Sequence, residues 1–275
     1  MIAGVPSLDA VLVLALDTAT PTVAIGVIEV SAPGESGWYT SGARAARAVP
    51  SANRHAETLG ELIPDVLGEA GVGMADLAAV VVGLGPGPFT GLRVGVMTAA
   101  ALGDALGVAV YGVCTLDAMA AMHKALAGSV PDGTTVPDDG FLVVTDARRR
   151  ECYWAEYDAS GTRISGPHVQ RPADMVAGPR SGLGLLSEPP VPDDANPQRW
   201  PGNAADWRST GLVIGDPAFS EALGIEIHPA QPDPLSLVLA APALFAGQPP
   251  APLEPLYLRR PDATPPASRK PVTPV

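Results

Sequence analysis

The 275-residue sequence is poor in several things at once, and each shortage removes a class of protein. Its two cysteines, Cys114 and Cys152, are far apart and form no CxxC, which excludes a disulfide framework and a thiolate zinc site. Four histidines, His55, His123, His168 and His228, show no i, i+4 pairing, and His55 with Glu57 does not complete HExxH, so no metal centre is expected. Cations are scarce, 17 Lys and Arg against 29 Asp and Glu, for a net charge of −12. Such a chain does not grip a nucleic-acid backbone by itself, because the phosphate contribution needs clustered Lys and Arg; any RNA role passes through a basic partner. Long hydrophobic runs are missing too. Ala10–Leu16 is cut by Asp17 and has no basic segment before it, so neither a signal peptide nor a membrane span is expected, and the cytoplasm is the expected location. No GxSxG elbow is present for Ser/His/Asp chemistry.

What is there is a chain 47% hydrophobic, with a mean hydropathy of +0.20, long enough for one large or two modest cores. Its most informative stretch is AVVVGLGPGPFTGLRVGVMTAAALG, residues 79–103. An apolar run breaks into alternating Gly and Pro and then into a segment poor in charge, which reads as strand, loop and helix. Gly83, Gly85, Gly87 and Gly91 allow positive φ and close approach of a backbone or an anion, while Pro86 and Pro88 stiffen the turn. The loop is neither a Walker loop nor GxGxxG. Two readings stay open: a phosphate cradled at the helix N-terminus, or tight packing of strand on helix.

Between Leu92 and Leu106 the only charges are Arg93 and Asp104, and small residues occur all round the helix. An outer helix of an α/β layer shows one polar face; this one leaves open either full burial or a subunit contact. The helix before it, 53–69, carries Leu59, Leu62, Ile63, Val66 and Leu67 at the helical period, with Ser51 or Asn53 as N-cap and a kink expected at Pro64.

Other elements follow in order: strands at 11–16, 22–30 and 38–48, the helix at 53–69, strand 79–84, helix 91–106, strand 108–113, helix 115–127, strands 141–145, 151–157 and 212–215, and a helix at 235–247. Three short strands followed by alternating α and β describe an α/β layer fold of the ribonuclease-H-like kind. Residues 131–140 form a polar connection, 178–210 a Pro/Gly/Asn/Asp-rich insertion, and the chain from Arg259 a Pro-rich tail.

Two strand-end acids stand out. Asp17, with Thr18 and Thr20, is placed where such folds put an acidic group and a phosphate-contacting turn, although capping that turn is the commoner role. Asp146 opens TDARRRECYWAEY, where a phosphoryl-transfer enzyme of this architecture wants a second Gly-rich turn; Arg148, Arg149 and Arg150 stand there instead. Their bulk blocks backbone approach, while guanidinium groups can hold an anion themselves.

The segments LALDTAT, SANRHAETL, GLGPGPFTGLRVG, GVCTLDAMA, TDARRRECYWAEY and EPLYLRR, spread in order from residue 14 to 260, resemble the bacterial TsaB family, also called YeaZ. The resemblance implies a two-domain actin-like (ASKHA) fold and a non-catalytic subunit of the system that places threonylcarbamoyl on adenosine 37 of tRNA. It implies a TsaD-type catalytic paralogue and a TsaE-type ATPase as partners, a homodimer when alone, and tRNA met only through the complex. No intrinsic cofactor is implied, with ATP or ADP open at the complex interface. The paralogue's HxxxH metal pair has no counterpart in GVCTLDAMAAMH, and Pro88 stands where many relatives have Ser. On this reading residues 1–113 carry the partner helices, 114–258 form a degenerate second domain, and 259–275 are a tail. The expected partner contacts are His55, Leu59, Leu62, Ile63, Val66, Arg93, Val96, Met97 and Ala100, and the candidate nucleotide or anion contacts are Asp17, Thr18, Gly85, Gly87, Thr90 and Gly91. The competing reading is an enzyme acting alone, either a nucleotide-hydrolysing actin-like protein or a glycoprotease-type peptidase.

Overall fold

A computed structural model describes residues 10–31, 40–51, 54–126, 140–176 and 212–259. The expectations for 178–210, for the 131–139 connection, for Asn53 as a cap and for the tail beyond Arg259 therefore lie outside the described residues. Strands β1 (Val11–Asp17), β2 (Thr22–Ser31) and β3 (Thr40–Pro50) precede α1 (His55–Ala70). Next come β4 (Leu77–Gly83), α2 (Phe89–Leu106), β5 (Ala109–Val113) and α3 (Thr115–Leu126). The second half continues with β6 (Phe141–Asp146), β7 (Cys152–Tyr157), β8 (Arg163–Gln170), α4 (Pro172–Val176) and β9 (Val213–Gly215). It closes with α5 (Ser220–Leu223), β10 (Ile227–Pro229), α6 (Pro234–Leu239) and α7 (Pro242–Phe245).

The strands make two five-stranded sheets, ordered β3-β2-β1-β4-β5 and β10-β9-β6-β7-β8. In each, the first strand pairs antiparallel with the second and parallel with the fourth, the second pairs antiparallel with the third, and the fourth parallel with the fifth. The same winding thus occurs twice along one chain. Its central strands read as continuous apolar runs because helices or loops cover both faces; Val13 to Leu16, Val80 to Val82 and Phe141 to Val144 are all essentially inaccessible.

One face of the first sheet meets α1 and α2. Leu59, Ile63, Val66 and Leu67 of α1 and Val96 and Ala99 of α2 are buried with Leu14, Leu16, Ile25 and Val80, each large side chain contributing roughly 1.5–3 kcal/mol. Helix α1 runs continuously through Pro64, which sits on its exposed side, and Ser51 caps nothing directly: its Oγ pairs with Thr58 Oγ1 at 2.7 Å. Four expected partner contacts are therefore corrected. Leu59, Ile63, Val66 and Val96, at 0–7% exposure, hold the helices to the sheet. The helical period identifies an apolar stripe but not what lies against it.

The other face of that sheet is closed from far along the chain. Leu237 and Val238 of α6, with Ala241, pack against Val13, Ala15, Ile28, Val30, Ala79 and Val81. The boundary at residue 113 did not anticipate this return of residues 234–245 to the first sheet. A single helix at 235–247 is likewise corrected to two short ones: Pro242 cannot extend α6, and opens α7 instead.

Candidate functional site

The ends of β1 and β4 meet the start of α3 around one buried carboxylate. Asp17, fully buried, accepts from Ala19 N–H through Oδ1 at 2.7 Å and from Thr115 Oγ1 through Oδ2 at 2.6 Å. Thr115 Oγ1 in turn accepts Gly85 N–H at 3.2 Å, and Thr115 N–H donates to Gly85 O at 2.8 Å. Burial pushes the Asp17 carboxyl above its ordinary range, opposed by the Thr115 and Ala19 hydrogen bonds and the His55 charge. The turn-capping reading of Asp17 is the one observed.

Thr18, also buried, donates from Oγ1 to Gly91 O at 2.7 Å. The glycines of the loop answer to these neighbours. A Cβ at Gly83 would fall 1.7 Å from Asp17 Oδ2, one at Gly87 2.3 Å from Ala19 O, one at Gly91 2.6 Å from Thr18 O, and one at Gly95 2.3 Å from Thr18 Oγ1. Of Gly83, Gly85, Gly87 and Gly91, only Gly85 has a positive φ, at 92°. The Gly/Pro loop therefore packs tightly against the β1–β2 turn, the blander of the two readings. Thr90 is exposed beside it, while Gly85, Gly87 and Gly91 are buried.

From this knot α2 projects an outer face. Met97 is 66% and Phe89 41% exposed, with Arg93 exposed between them and its guanidinium 4.0 Å above the Phe89 ring. Ala100 and Leu62 are half-buried, and half-buried His55 turns inward, Nε2 lying 3.3 Å from Thr20 O. The helix is thus neither fully buried nor polar outside. Residues 253–259 strap across it: Leu256 N–H donates to Leu84 O at 2.8 Å, the Tyr257 ring lies tilted against Phe89 with centroids 5.0 Å apart, and Arg93 Nε donates to Tyr257 Oη at 3.3 Å.

The second sheet repeats the strand-end acid. Asp146 Oδ1 accepts Arg148 N–H at 2.7 Å and Oδ2 pairs with the Arg148 guanidinium at 3.3 Å. Arg148, Arg149 and Arg150 have φ of 62, 57 and 63°, a left-handed conformation costing a non-glycine residue on the order of 1 kcal/mol. Within that run Arg148 pairs with the neighbouring carboxylate of Asp146, while Glu151 pairs with Arg259, which also donates to Arg148 O at 3.3 Å. A cleft of about 180 Å³ opens between the two sheets, lined by Thr20, Thr22, Thr145, Asp146, Asp216 and Gln231 among others.

Where the sequence shows GVCTLDAMAAMH, Asp117 accepts Tyr157 Oη–H at 2.8 Å and pairs with Arg163 at 3.4 Å. Burial, with Asp117 nearby, pushes the Cys114 thiol up to about 12. A protonated thiol and a carboxylate already held by a guanidinium are poor metal donors, and among the described residues no three His, Cys, Asp or Glu side chains could hold an ion together. No described helix is long and apolar enough to cross a membrane. Sequence reasoning missed Thr115, Tyr257 and Arg259 as parts of this region. Thr115 is a polar residue at a strand-to-helix junction, the one local signal available; its link to Asp17 spans 98 residues.

Two sheets of one winding, with a cleft between them lined by the strand-end acid Asp146 of the second, define an α/β protein of the actin-like (ASKHA) fold. A Pseudomonas aeruginosa protein described as similar to peptidase YEAZ has this fold, at a TM-score of 0.59 and 23% identity over 90% of this chain and all of the other. The family described as TsaD, tRNA N6-adenosine threonylcarbamoyltransferase, matches residues 49–188. An uncharacterized Mycobacterium tuberculosis protein is 40% identical over 257 residues, 92% of this chain and 94% of its own. The Escherichia coli tRNA threonylcarbamoyladenosine biosynthesis protein TsaB is 31% identical over 147 residues, 53% of this chain and 54% of its own. The chain belongs to the family described as TsaD, whose match spans half of it, and is similar to the TsaB (YeaZ) proteins.

Proposed function

We propose that this chain is a non-catalytic scaffold subunit in the biosynthesis of threonylcarbamoyladenosine at position 37 of tRNA, pairing with a TsaD-type catalytic paralogue joined by a TsaE-type ATPase. The observation that carries the reading is the outer face of α2. Met97 and Phe89 are large apolar side chains left in solvent on a helix whose other side is fully packed, and such a face suits a partner helix. Arg93, Met97, Ala100 and Leu62 are the contacts assigned to it, with a second copy of the chain as occupant when the paralogue is absent. The chain is given no cofactor of its own, and its place is the cytoplasm with the tRNA it serves. The non-catalytic role is supported by the internal use of Asp17, by Asp117 held between Tyr157 and Arg163, and by three arginines where a phosphate-binding turn would need open backbone.

Met97→Glu would bury a charge without a partner, costing several kcal/mol of association. Size-exclusion chromatography with light scattering should show the folded variant as a monomer that no longer binds the paralogue. Unchanged self-association and paralogue binding would remove α2 as the contact. Reconstituted tRNA modification should require the chain in addition to paralogue and ATPase. ATP hydrolysis or proteolysis by the pure chain, abolished in Asp17→Ala, would establish the enzyme reading instead.

A further inference from the structure

Helix α2 carries an order on its outer side that packing on the sheet does not use. Phe89, Arg93, Met97, Ala100 and Asp104 fall within about 80° of its circumference. Phe89, Arg93, Met97 and Asp104 are exposed and Ala100 is half-buried, while Leu92, Val96 and Ala99 turn to the sheet. Steps of four and three residues along such a stripe are the spacing on which a second helix packs. Between Arg93 and Asp104 the stripe is apolar, and these two residues, of opposite sign, are the only charges on the helix.

Neither charge is neutralised within the chain. Arg44, Arg47, Arg148, Arg163 and Arg259 each pair with a carboxylate, whereas Arg93 and Asp104 enter no ion pair among the described residues. Arg93 is held all the same: its guanidinium lies 4.0 Å above the Phe89 ring and its Nε donates to Tyr257 Oη at 3.3 Å. Those contacts occupy one face of the group and one N–H, and leave its two terminal nitrogens for a carboxylate from outside. A side chain ordered beforehand loses less freedom on binding.

We infer that this stripe is self-complementary, and that two copies of the chain associate by pairing their α2 helices antiparallel about a two-fold axis; the inference rests on the reading of α2 as the partner face. In a two-fold pair each contact occurs twice, residue i on j and j on i. An axis midway between Arg93 and Asp104 sets Arg93 of each copy against Asp104 of the other. The same axis is also midway between Met97 and Ala100, and sets a large side chain against a small one. A parallel pair would instead place Arg93 on Arg93 and Asp104 on Asp104. Ala101 and Ala105, exposed beside the stripe, let the second helix come close. One helix pair is a small contact, so the association is weak and reversible, and a paralogue engaging the same face displaces it.

Sedimentation equilibrium of the full chain tests the pairing with Arg93→Glu and Asp104→Arg, both at exposed positions. Each variant alone meets like charges at both contacts and should dimerise at least about tenfold more weakly than the parent. Mixed in equal amounts, the two variants restore both opposite-charge pairs at the parent's total charge, and should form a mixed dimer within about threefold of the parent's affinity. Where a reversal lowers the Tm, Arg93→Gln and Asp104→Asn take its place, and each should weaken the dimer and flatten its salt dependence. Single variants that dimerise like the parent, a mixture that stays monomeric, or a parent that is monomeric at every concentration reached would overturn this inference alone, provided Met97→Glu still abolishes paralogue binding. If Met97→Glu leaves self-association and paralogue binding unchanged, α2 is not the partner face, and that reading falls together with this inference.

Discussion

The Asp17 turn and the Asp146 turn occupy equivalent places in two sheets of the same winding, yet they use the same side chain in opposite ways. At the first, the carboxylate is buried and its neighbours are glycines, so the β1–β2 turn, the Gly/Pro loop and α3 close onto it at hydrogen-bond distance. At the second, the carboxylate is half-exposed, its neighbours are arginines, and the turn stands out from the sheet. Side-chain size after the strand decides between the two. Small residues let backbone collapse on the acid; large charged ones keep it in solvent and turn the same geometry into a display of cations.

The first turn should accordingly be intolerant and the second permissive. Gly83→Ala places a methyl group inside the contact distance of Asp17 Oδ2 and is expected to cost about 3 kcal/mol or more, read as a fall in urea midpoint. A midpoint shift below about 1 kcal/mol would show that the loop relaxes and that closure around Asp17 is loose. Next in size is Thr115→Val, which deprives the buried carboxylate and Gly85 N–H of a partner and should cost about 2 kcal/mol; Thr115→Ser should restore most of it.

Proton linkage sharpens the same contrast. The folded-state pKa of Asp17 is raised, so the native state keeps a proton that the unfolded chain has lost. Stability from this group is highest below the ordinary aspartate pKa near about 4 and falls as pH rises from there to the raised value. The difference in stability between the parent chain and Asp17→Asn should therefore move against the parent across that window, and a flat difference would contradict the burial of the charge. The smallest effect belongs to the second turn. Arg259→Ala breaks a partly exposed ion pair with Glu151 and a hydrogen bond to Arg148 O, and a loss of under about 1 kcal/mol, shrinking with added salt, is expected in thermal melts.

These contrasts also explain what could be read from residues alone. The central strands were legible because apolar runs bounded by Gly, Pro and Asp have few alternatives, and α2 began within two residues of its expected start. Strand β8 was not: Arg163–Gln170 holds one large aliphatic on its outer side, Ile164 at 60% exposure, and an internal Pro167, so neither periodicity nor composition marks it. Asp17 was visible as a strand-end acid, and the arginine run as a departure from a Gly-rich turn. Thr115, Tyr257 and Arg259 were not visible as members of one region, since their partners are 30 to 164 residues away. The four helix residues expected at a partner surface failed for a related reason: sequence period reports which face is apolar, and both the sheet and a partner would satisfy it.

The return of α6 and α7 to the first sheet has a consequence for the order in which the protein is made. A nascent chain that has released residues 1–113 already has all five strands and both outer helices of that sheet, but the face formed by Val13, Ala15, Ile28, Val30, Ala79 and Val81 still lacks Leu237, Val238 and Ala241. The whole second sheet must emerge before the first is finished. During synthesis the early half therefore carries a bare apolar surface for the time needed to add more than a hundred residues, the interval in which a chaperone or a misplaced neighbour would find it.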